Sequence, residues 1–337
     1  MKGRDSSLDF IKGLCILLII VGHCSVSPAL HDLLYFFHVP VFFIVSGYNY
    51  RFRNVSSEIA VDCRRLLKPL AFVGFTLLIA SLFKDLYKGI GFNSFSATLL
   101  GLLWGSGFSY HFNFLPLPKA ESIGPLWFLW AMFWTRLFFN RVLLIKSDLL
   151  KIASVCFFAI IAVNVKQYFS LPFSLIPGIC ATGFFCSGFL LKKYDVFNQE
   201  KWNILYIVFI IAFFLCMIPA GNLDVNMSIY KGFYLFDVLG VLGVFCGMLF
   251  FSRKIVLSGR LCSLFLWIGK YSLVVYCIHA LEYNLMNDCW STNLINYFSR
   301  IYSICFVIIL RIIIAVLGAK LVLRIPFLKE KVFELKE

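Results

Sequence analysis

The feature that most limits how this chain can fold is a series of long apolar runs, separated by short segments that carry most of the charge. Of its 337 residues, 61% are hydrophobic and 14% are charged, whereas soluble chains carry about 25% charged residues. Because a helix needs about 20 apolar residues to cross a bilayer, the sequence predicts an all-α polytopic membrane protein. Ten runs are candidate spans: 10–27, 33–50, 69–84, 123–142, 149–165, 173–191, 203–220, 232–252, 263–281 and 301–323.

The charges of the loops indicate how these spans are oriented. With the N-terminus in the cytoplasm, twenty basic residues fall in cytoplasmic segments and six in outer segments, as expected from the positive-inside rule. We therefore expect ten spans with cytoplasmic N- and C-termini, with loop 51–68 inside and loops 28–32 and 282–300 outside. The apolar segment 95–108 is too short for an eleventh span, and we interpret it as re-entrant or interfacial.

The remaining composition narrows the class of protein further. The net charge of +14 is explained by the cytoplasmic loops, so we expect no nucleic-acid partner. No Cys-x-x-Cys pair occurs, and we predict no metal site. We interpret the chain as one integral-membrane domain, 1–337, in which 5–325 carries the motifs and 326–337 is a short charged cytoplasmic tail. The sequence does not indicate the oligomeric state.

The first apolar run carries ionisable residues, which are costly inside a membrane and are usually functional there. Lys12 and His23 are eleven positions apart, and at about 100° per residue they share one face of a helix. Asp9 precedes Lys12 by three positions and lies on nearly the same face. A simpler interpretation is that Asp9 and Lys12 anchor the helix at the interface and that His23 is a core histidine.

A second histidine, His38, begins the next group of motif residues. If the second span runs inward, His38 lies near its outer end at a depth similar to that of His23, and Pro40 shapes the helix there. The pair Ser46-Gly47 lies deeper, where small residues allow close packing of helices. His31 is interpreted as a loop residue.

Three cations precede the third span on the predicted cytoplasmic side. They are Arg64, Arg65 and Lys68. Ordinary positive-inside charge explains them. A phosphate clamp is the functional alternative, because the arginine guanidinium matches phosphate oxygens with two parallel hydrogen bonds.

These residues resemble the motifs of a known family, the acyltransferase 3 family of integral membrane acyltransferases. The resemblance extends in order from Asp9 to about His279. It departs from the family pattern at Lys68, where the Arg-x-x-Arg motif has a lysine. The matching elements are Asp9, Lys12 and His23; Phe37-His38-Val39-Pro40-Val41-Phe42-Phe43-Ile44-Val45-Ser46-Gly47-Tyr48; Arg65-Leu66-Leu67-Lys68; Gly124-Pro125-Leu126-Trp127-Phe128-Leu129; and Ser272, Tyr276 and His279.

The resemblance implies transfer of an acyl group, most often acetyl, from acyl-CoA to a hydroxyl of a surface polysaccharide or its lipid-linked precursor. Acetyl-CoA would be a co-substrate, with no tightly bound cofactor, and membrane lipid would surround the protein in a bacterial inner membrane. His23 would be the general base, with Asp9 tuning the site, although an acyl-histidine relay is an alternative. His38 would orient the acceptor or act as the base itself. The donor phosphates would meet Lys12, Arg64, Arg65 and Lys68.

Several further residues are candidates for the acceptor cavity. His279 either lines the cavity or packs at the end of a helix, and Tyr276 belongs to the same motif. Trp127 is an interface or packing aromatic in the simpler interpretation. Glu121 is a candidate for binding a sugar hydroxyl at the outer mouth. Ser46 completes this set, although packing is the simpler role for the Ser46-Gly47 pair.

Two other classes of function remain open at this stage. A transporter or flippase of a lipid-linked glycan also uses intramembrane histidine, lysine and aspartate, but transporters often contain internal repeats, and none is evident here. A structural membrane subunit would leave the stripe formed by Asp9, Lys12 and His23 without an explanation.

Overall fold

The structure is a computed structural model that describes residues 5–110, 119–166, 168–196, 223–230, 234–254, 260–293 and 300–335. Helices dominate these ranges, in which β-structure is confined to two isolated bridges. The α-helices are α1 (Ser6–Gly22), α2 (Pro28–Phe37), α3 (Pro40–Tyr48), α4 (Val55–Asp62), α5 (Lys68–Lys88), α6 (Asn93–Trp104), α7 (Trp127–Val142), α8 (Asp148–Lys166), α9 (Leu175–Cys180), α10 (Thr182–Lys193), α11 (Tyr234–Lys254), α12 (Arg260–Lys270), α13 (Ser272–Asn293) and α14 (Arg300–Arg324).

The chain divides into two compact units, each assembled from separate stretches of sequence. Unit 1 comprises Met1–Asn54, Thr135–Val165 and Ile179–Ser272, and unit 2 comprises Val55–Trp134, Lys166–Gly178 and Leu273–Glu337. Unit 1 therefore contains α1, α2 and α3, and unit 2 contains α5, α13 and α14. The interpretation of the whole chain as one domain stays a prediction.

Several helices have the length and composition of membrane spans, but they do not confirm ten spans. Within the described ranges, six helical segments are long and apolar enough to cross a membrane, or seven if the bent pair formed by α12 and α13 counts as one. α1 and α7 have 17 and 16 residues, at the short end of what a span requires. The predicted span 203–220 lies outside the described residues. The six segments are Pro28–Tyr48, Val55–Lys88, Asp148–Lys166, Leu175–Lys193, Tyr234–Arg253 and Tyr302–Arg324.

Local backbone chemistry explains where the observed helices depart from the predicted runs. α1 begins at Ser6 rather than near residue 10, because the Asp5 carboxylate caps it by accepting from the Ser7 and Leu8 amides. The second span is broken into α2 and α3, with Pro40 at the start of α3, where a missing N–H is tolerated. The predicted span 263–281 is divided in the same way, into α12 and α13, with a break between Lys270 and Ser272.

Glycines allow α1 and α12 to approach each other closely in unit 1. A Cβ added to Gly13 would overlap the backbone carbonyl of Phe265, and a Cβ added to Gly269 would overlap that of Asp9. Each helix therefore contributes one glycine to a close crossing, as small residues commonly do in membranes. This crossing fixes the backbone that carries Asp9.

The same arrangement recurs where α3 packs on α10. A Cβ on Gly47 would overlap the carbonyl of Phe185, and a Cβ on Gly188 would overlap the carbonyl of Ile44. The packing role predicted for Gly47 is confirmed, and it holds the neighbouring Ser46 in a fixed position on α3.

Unit 2 contains the short apolar segment and the C-terminal segment. α6 has 12 residues, a length of about 18 Å at 1.5 Å per residue, which is too short for a hydrocarbon core of about 30 Å. The predicted tail is not an extended chain. Residues Phe327–Val332 form a π-helix, and Val332 and Phe333 are buried.

The predicted orientation can be tested by labelling single cysteines in a cysteine-depleted background. Ser57, on α4, should be protected as cysteine from a membrane-impermeant reagent in intact cells, because loop 51–68 is expected to be cytoplasmic. Tyr168, which is 73% exposed beside the predicted outer residue Lys166, is the matched position and should be labelled. Labelling at 57 from outside would contradict the orientation.

Candidate active site

Asp9 and Lys12 form an ion pair in the first half of α1. Lys12 Nζ lies 2.6 Å from Asp9 Oδ1, and Asp9 is buried. The shared face predicted for these two residues is confirmed. Because Asp9 compensates the charge of Lys12, a phosphate that bound Lys12 would do so beside a carboxylate.

His23 is placed at the C-terminal end of α1 rather than inside a longer helix. The helix ends at Gly22, and the His23 amide donates to the Ile19 carbonyl at 3.1 Å. The His23 Nδ1 atom lies 3.4 Å from the Tyr35 hydroxyl oxygen of α2. The ring is half-buried, so it combines a fixed position with access for a small reactant.

His38 lies at the break between α2 and α3 and is 1% exposed. Its Nδ1–H donates to the Leu34 carbonyl, which leaves the lone pair of the neutral ring on Nε2. The Tyr35 ring stands between the two histidines, with its centroid 6.2 Å from that of His23 and 4.9 Å from that of His38. The structure therefore brings His23 and His38 into one cluster, which we call the histidine–tyrosine cluster.

Ser46 belongs to a different group of polar side chains in unit 1. Its hydroxyl accepts a hydrogen bond from Arg136 of α7 at 3.3 Å. The Arg136 guanidinium also lies over the Tyr50 ring, 5.1 Å from its centroid, and the Tyr50 hydroxyl accepts from Asn140 at 2.9 Å. Ser46 thus contacts an intramembrane arginine.

Arg64 and Arg65 lie in a π-helical turn of unit 2, Cys63–Leu67, and Lys68 is the first residue of α5, which follows it. Arg64 Nε and Lys68 Nζ lie 3.5 Å and 3.7 Å from Glu334 Oε1 of the C-terminal segment. Arg65 is exposed. A phosphate that bound here would meet exposed cations, two of which already face a carboxylate.

The remaining candidates lie around the turn Gly124–Leu126 in unit 2. The Tyr276 hydroxyl of α13 donates to the Pro125 carbonyl, and Gly124 has a φ of 52° with the Tyr283 ring where a Cβ would stand. Trp127 begins α7 and is buried, which agrees with a packing role. Glu121 is exposed.

His279 belongs to a buried ionic cluster in unit 2. Its Nδ1 lies 3.2 Å from Glu282 Oε2, and Glu282 Oε1 lies 3.3 Å from Arg311 Nε of α14. Arg311 donates to Asn287 Oδ1 at 2.6 Å. The exposed fractions are 1% for His279, 4% for Glu282 and 2% for Arg311, so all three polar heads are removed from solvent.

Sequence reasoning missed Tyr35, Arg136, Glu282 and Arg311. Arg136 and Arg311 carried a usable signal, since each is a cation inside a predicted span. Glu282 was assigned to the outer loop 282–300, but α13 continues as a helix through Asn293, so that loop assignment is wrong for most of its length. His31, expected in a loop, lies in α2 and stacks on the Tyr35 ring at 3.9 Å.

The fold and the site define a class, the helical integral membrane proteins with ionisable residues inside their spans. Comparison with protein families is more specific: the family model described as an acyltransferase domain matches residues 5–320. The chain therefore belongs to the acyltransferase 3 family of integral membrane acyltransferases. This confirms the resemblance based on the motifs.

Two similar proteins share the name Nodulation protein NolL. The one from Mesorhizobium japonicum is 23% identical over 357 residues, covering 91% of this chain and 86% of the relative. The one from Sinorhizobium fredii is 30% identical over 209 residues, covering 57% of this chain and 50% of the relative. No solved structure matches the chain.

Proposed function

We propose that the protein is an O-acyltransferase that moves an acyl group, most simply acetyl, from acyl-CoA to a carbohydrate hydroxyl. The observation that carries the proposal is the histidine–tyrosine cluster in a chain that belongs to the acyltransferase 3 family. An imidazole suits removal of a hydroxyl proton, because it can bind and release a proton near neutral pH. We propose that the protein lies in a bacterial inner membrane. Its acceptor would be a surface polysaccharide or the lipid-linked precursor of one, which an intramembrane site could reach.

In the proposed reaction, a ring nitrogen of His23 takes the proton of the acceptor hydroxyl as the hydroxyl oxygen attacks the thioester carbonyl. The carbon–sulfur bond breaks, and the CoA sulfur leaves with the proton that His23 received. His38 is almost one helical turn beyond Tyr35 and is suited to orient the acceptor. Transfer through an acyl-histidine is the alternative route.

The donor would enter from the cytoplasm, where acyl-CoA is made. Arg64, Arg65 and Lys68 would then bind its phosphates by charge-assisted hydrogen bonds. Glu334 contacts two of these cations, so a bound phosphate would compete with its carboxylate. Lys12, which lies beside Asp9 on α1, is a further candidate for binding the donor phosphates.

We expect Arg65→Ala and Lys68→Ala to raise the KM for acetyl-CoA and to leave the KM for the acceptor unchanged, because each removes a phosphate-pairing charge. Added salt should raise the donor KM of the wild type in the same way. Lys84→Ala, an exposed lysine near the other end of α5, is the matched control. A change confined to the acceptor KM would exclude the clamp.

The proposed reaction is tested with purified protein in lipid nanodiscs, given radiolabelled acetyl-CoA and surface polysaccharide from a strain in which the gene is deleted. We expect label in the polysaccharide, and NMR should place it in O-acetyl groups. Movement of a glycan across vesicle membranes without label transfer would instead support a transporter or flippase, and would overturn the proposal.

A further inference from the structure

Tyr35 of α2 contacts three histidines among the residues that the structure describes. Its ring stacks on His31 with centroids 3.9 Å apart. It meets His38 edge to face at 4.9 Å, and its hydroxyl oxygen lies 3.4 Å from His23 Nδ1. A Cβ on Gly22 would lie 3.3 Å from the Tyr35 ring, so the end of α1 is packed directly against this tyrosine. The position of Tyr35 is therefore set by α1 and α2 together.

The hydrogen-bond partner of a neutral histidine sets its tautomer, and His38 and His23 can be compared in this respect. His38 donates its Nδ1–H to the Leu34 carbonyl, which can only accept. The Tyr35 oxygen can accept a hydrogen bond from His23 Nδ1–H in the same way. Both rings would then hold their proton on Nδ1 and carry their lone pair on Nε2.

We propose that Tyr35 is a positioning residue, which accepts a hydrogen bond from the Nδ1–H of His23 and so holds the lone pair of the ring on Nε2, the atom that takes the proton of the acceptor hydroxyl. This inference rests on the proposed acyl transfer. When His23 receives that proton, the ring becomes an imidazolium, and hydrogen bonds to charged groups are stronger than those to neutral ones. The Tyr35 oxygen would therefore stabilise the transition state more than the ground state, which raises kcat.

Other titratable groups lie around this pair. On α2, His31 Nδ1 lies 3.4 Å from Asp32 Oδ1. Cys24 follows His23 and donates its thiol to the Ile20 carbonyl, and His38 follows at the end of α2. α11, which also packs on α2, carries the buried Asp237 in its first turn. These groups are unchanged by substitution at Tyr35, so a shift in the pH profile reports the lost hydroxyl.

Tyr35→Phe is the decisive variant, because it retains the ring that packs on His31 and His38 and removes only the hydroxyl. We expect kcat to fall by roughly 10- to 100-fold, as for loss of a hydrogen bond to a charged group, with the KM for acetyl-CoA unchanged. The acidic limb of the pH–rate profile should move to lower pH, since imidazolium without its acceptor loses its proton more readily. Tyr87→Phe, at a position 92% exposed, is the matched control for loss of a hydroxyl.

The outcomes separate this inference from the function on which it rests. A Tyr35→Phe protein with the wild-type kcat and pH profile would overturn the inference alone, and so would a limb that moves to higher pH, because Tyr35 would then be the donor. Wild-type protein that transfers no acyl group would overturn the proposed function and the inference together. If Tyr35→Phe folds poorly, Tyr35→His is the second variant, because its ring restores a polar atom. We expect its kcat to lie between those of Tyr35→Phe and the wild type. A folded Tyr35→His protein with a kcat no higher than that of Tyr35→Phe would count against the proposal.

Discussion

His23→Ala should lower the rate of acyl transfer by roughly 10²–10⁴-fold, the usual effect of removing a general base, while the protein still inserts and folds. The reason is local: His23 caps α1 through its backbone amide, so replacing the side chain leaves the cap in place. The measurement is label transfer from acetyl-CoA by purified variant and wild type at equal concentration.

The control for this experiment is His111→Ala, at a histidine between the apolar segment 95–108 and the predicted span 123–142, which should retain near-wild-type activity. His38→Ala distinguishes the two candidate roles of its residue. If His38 orients the acceptor, the acceptor KM should rise more than kcat falls. Near-parental activity of His23→Ala at normal expression would contradict the assignment of His23 as the base.

Much of the helical layout could be predicted from the sequence, because apolar length alone decides whether a segment can cross a membrane. The ends and breaks of helices were harder to predict. The cap at Asp5 and the break before Pro40 depend on single residues, and the break between α12 and α13 falls at one residue, Tyr271. Hydropathy averaged over a long window does not detect them, and for that reason Glu282 was assigned to a loop instead of a helix.

The residues of the candidate site also differ in how far the sequence could predict them. The pairing of Asp9 with Lys12 followed from helical periodicity, since both residues lie on one helix. Tyr35 was missed because its role depends on how α1 packs against α2, and periodicity within one run contains no information about the contact between two. Arg311 was detectable as an intramembrane cation, but its partner Glu282 became evident only from the packing of α13 against α14.

The buried ionic cluster of unit 2 gives the largest effect that we expect on stability. Glu282 lies between His279 and Arg311, and taking charged groups out of water costs several kcal/mol per ion before partners compensate it. The carboxylate is therefore needed more for compensating Arg311 than for any net gain of its own. Apolar residues in place of both partners should be tolerated far better than loss of Glu282 alone.

We accordingly expect Glu282→Ala to lower the free energy of unfolding by about 3–5 kcal/mol, since it leaves the Arg311 guanidinium buried without this carboxylate. The double variant Glu282→Met/Arg311→Met should recover most of the loss. Glu334→Gln, which removes exposed ion pairs, is the control and should cost no more than about 1 kcal/mol. Unfolding can be followed in detergent with a thiol-reactive fluorophore in a background that retains only Cys277, because Cys277 on α13 is 0% exposed in the folded protein, whereas Cys305 is exposed. A Glu282→Ala protein as stable as the wild type would show that the cluster has no structural role, and a double variant no better than the single one would show that the carboxylate does more than compensate Arg311.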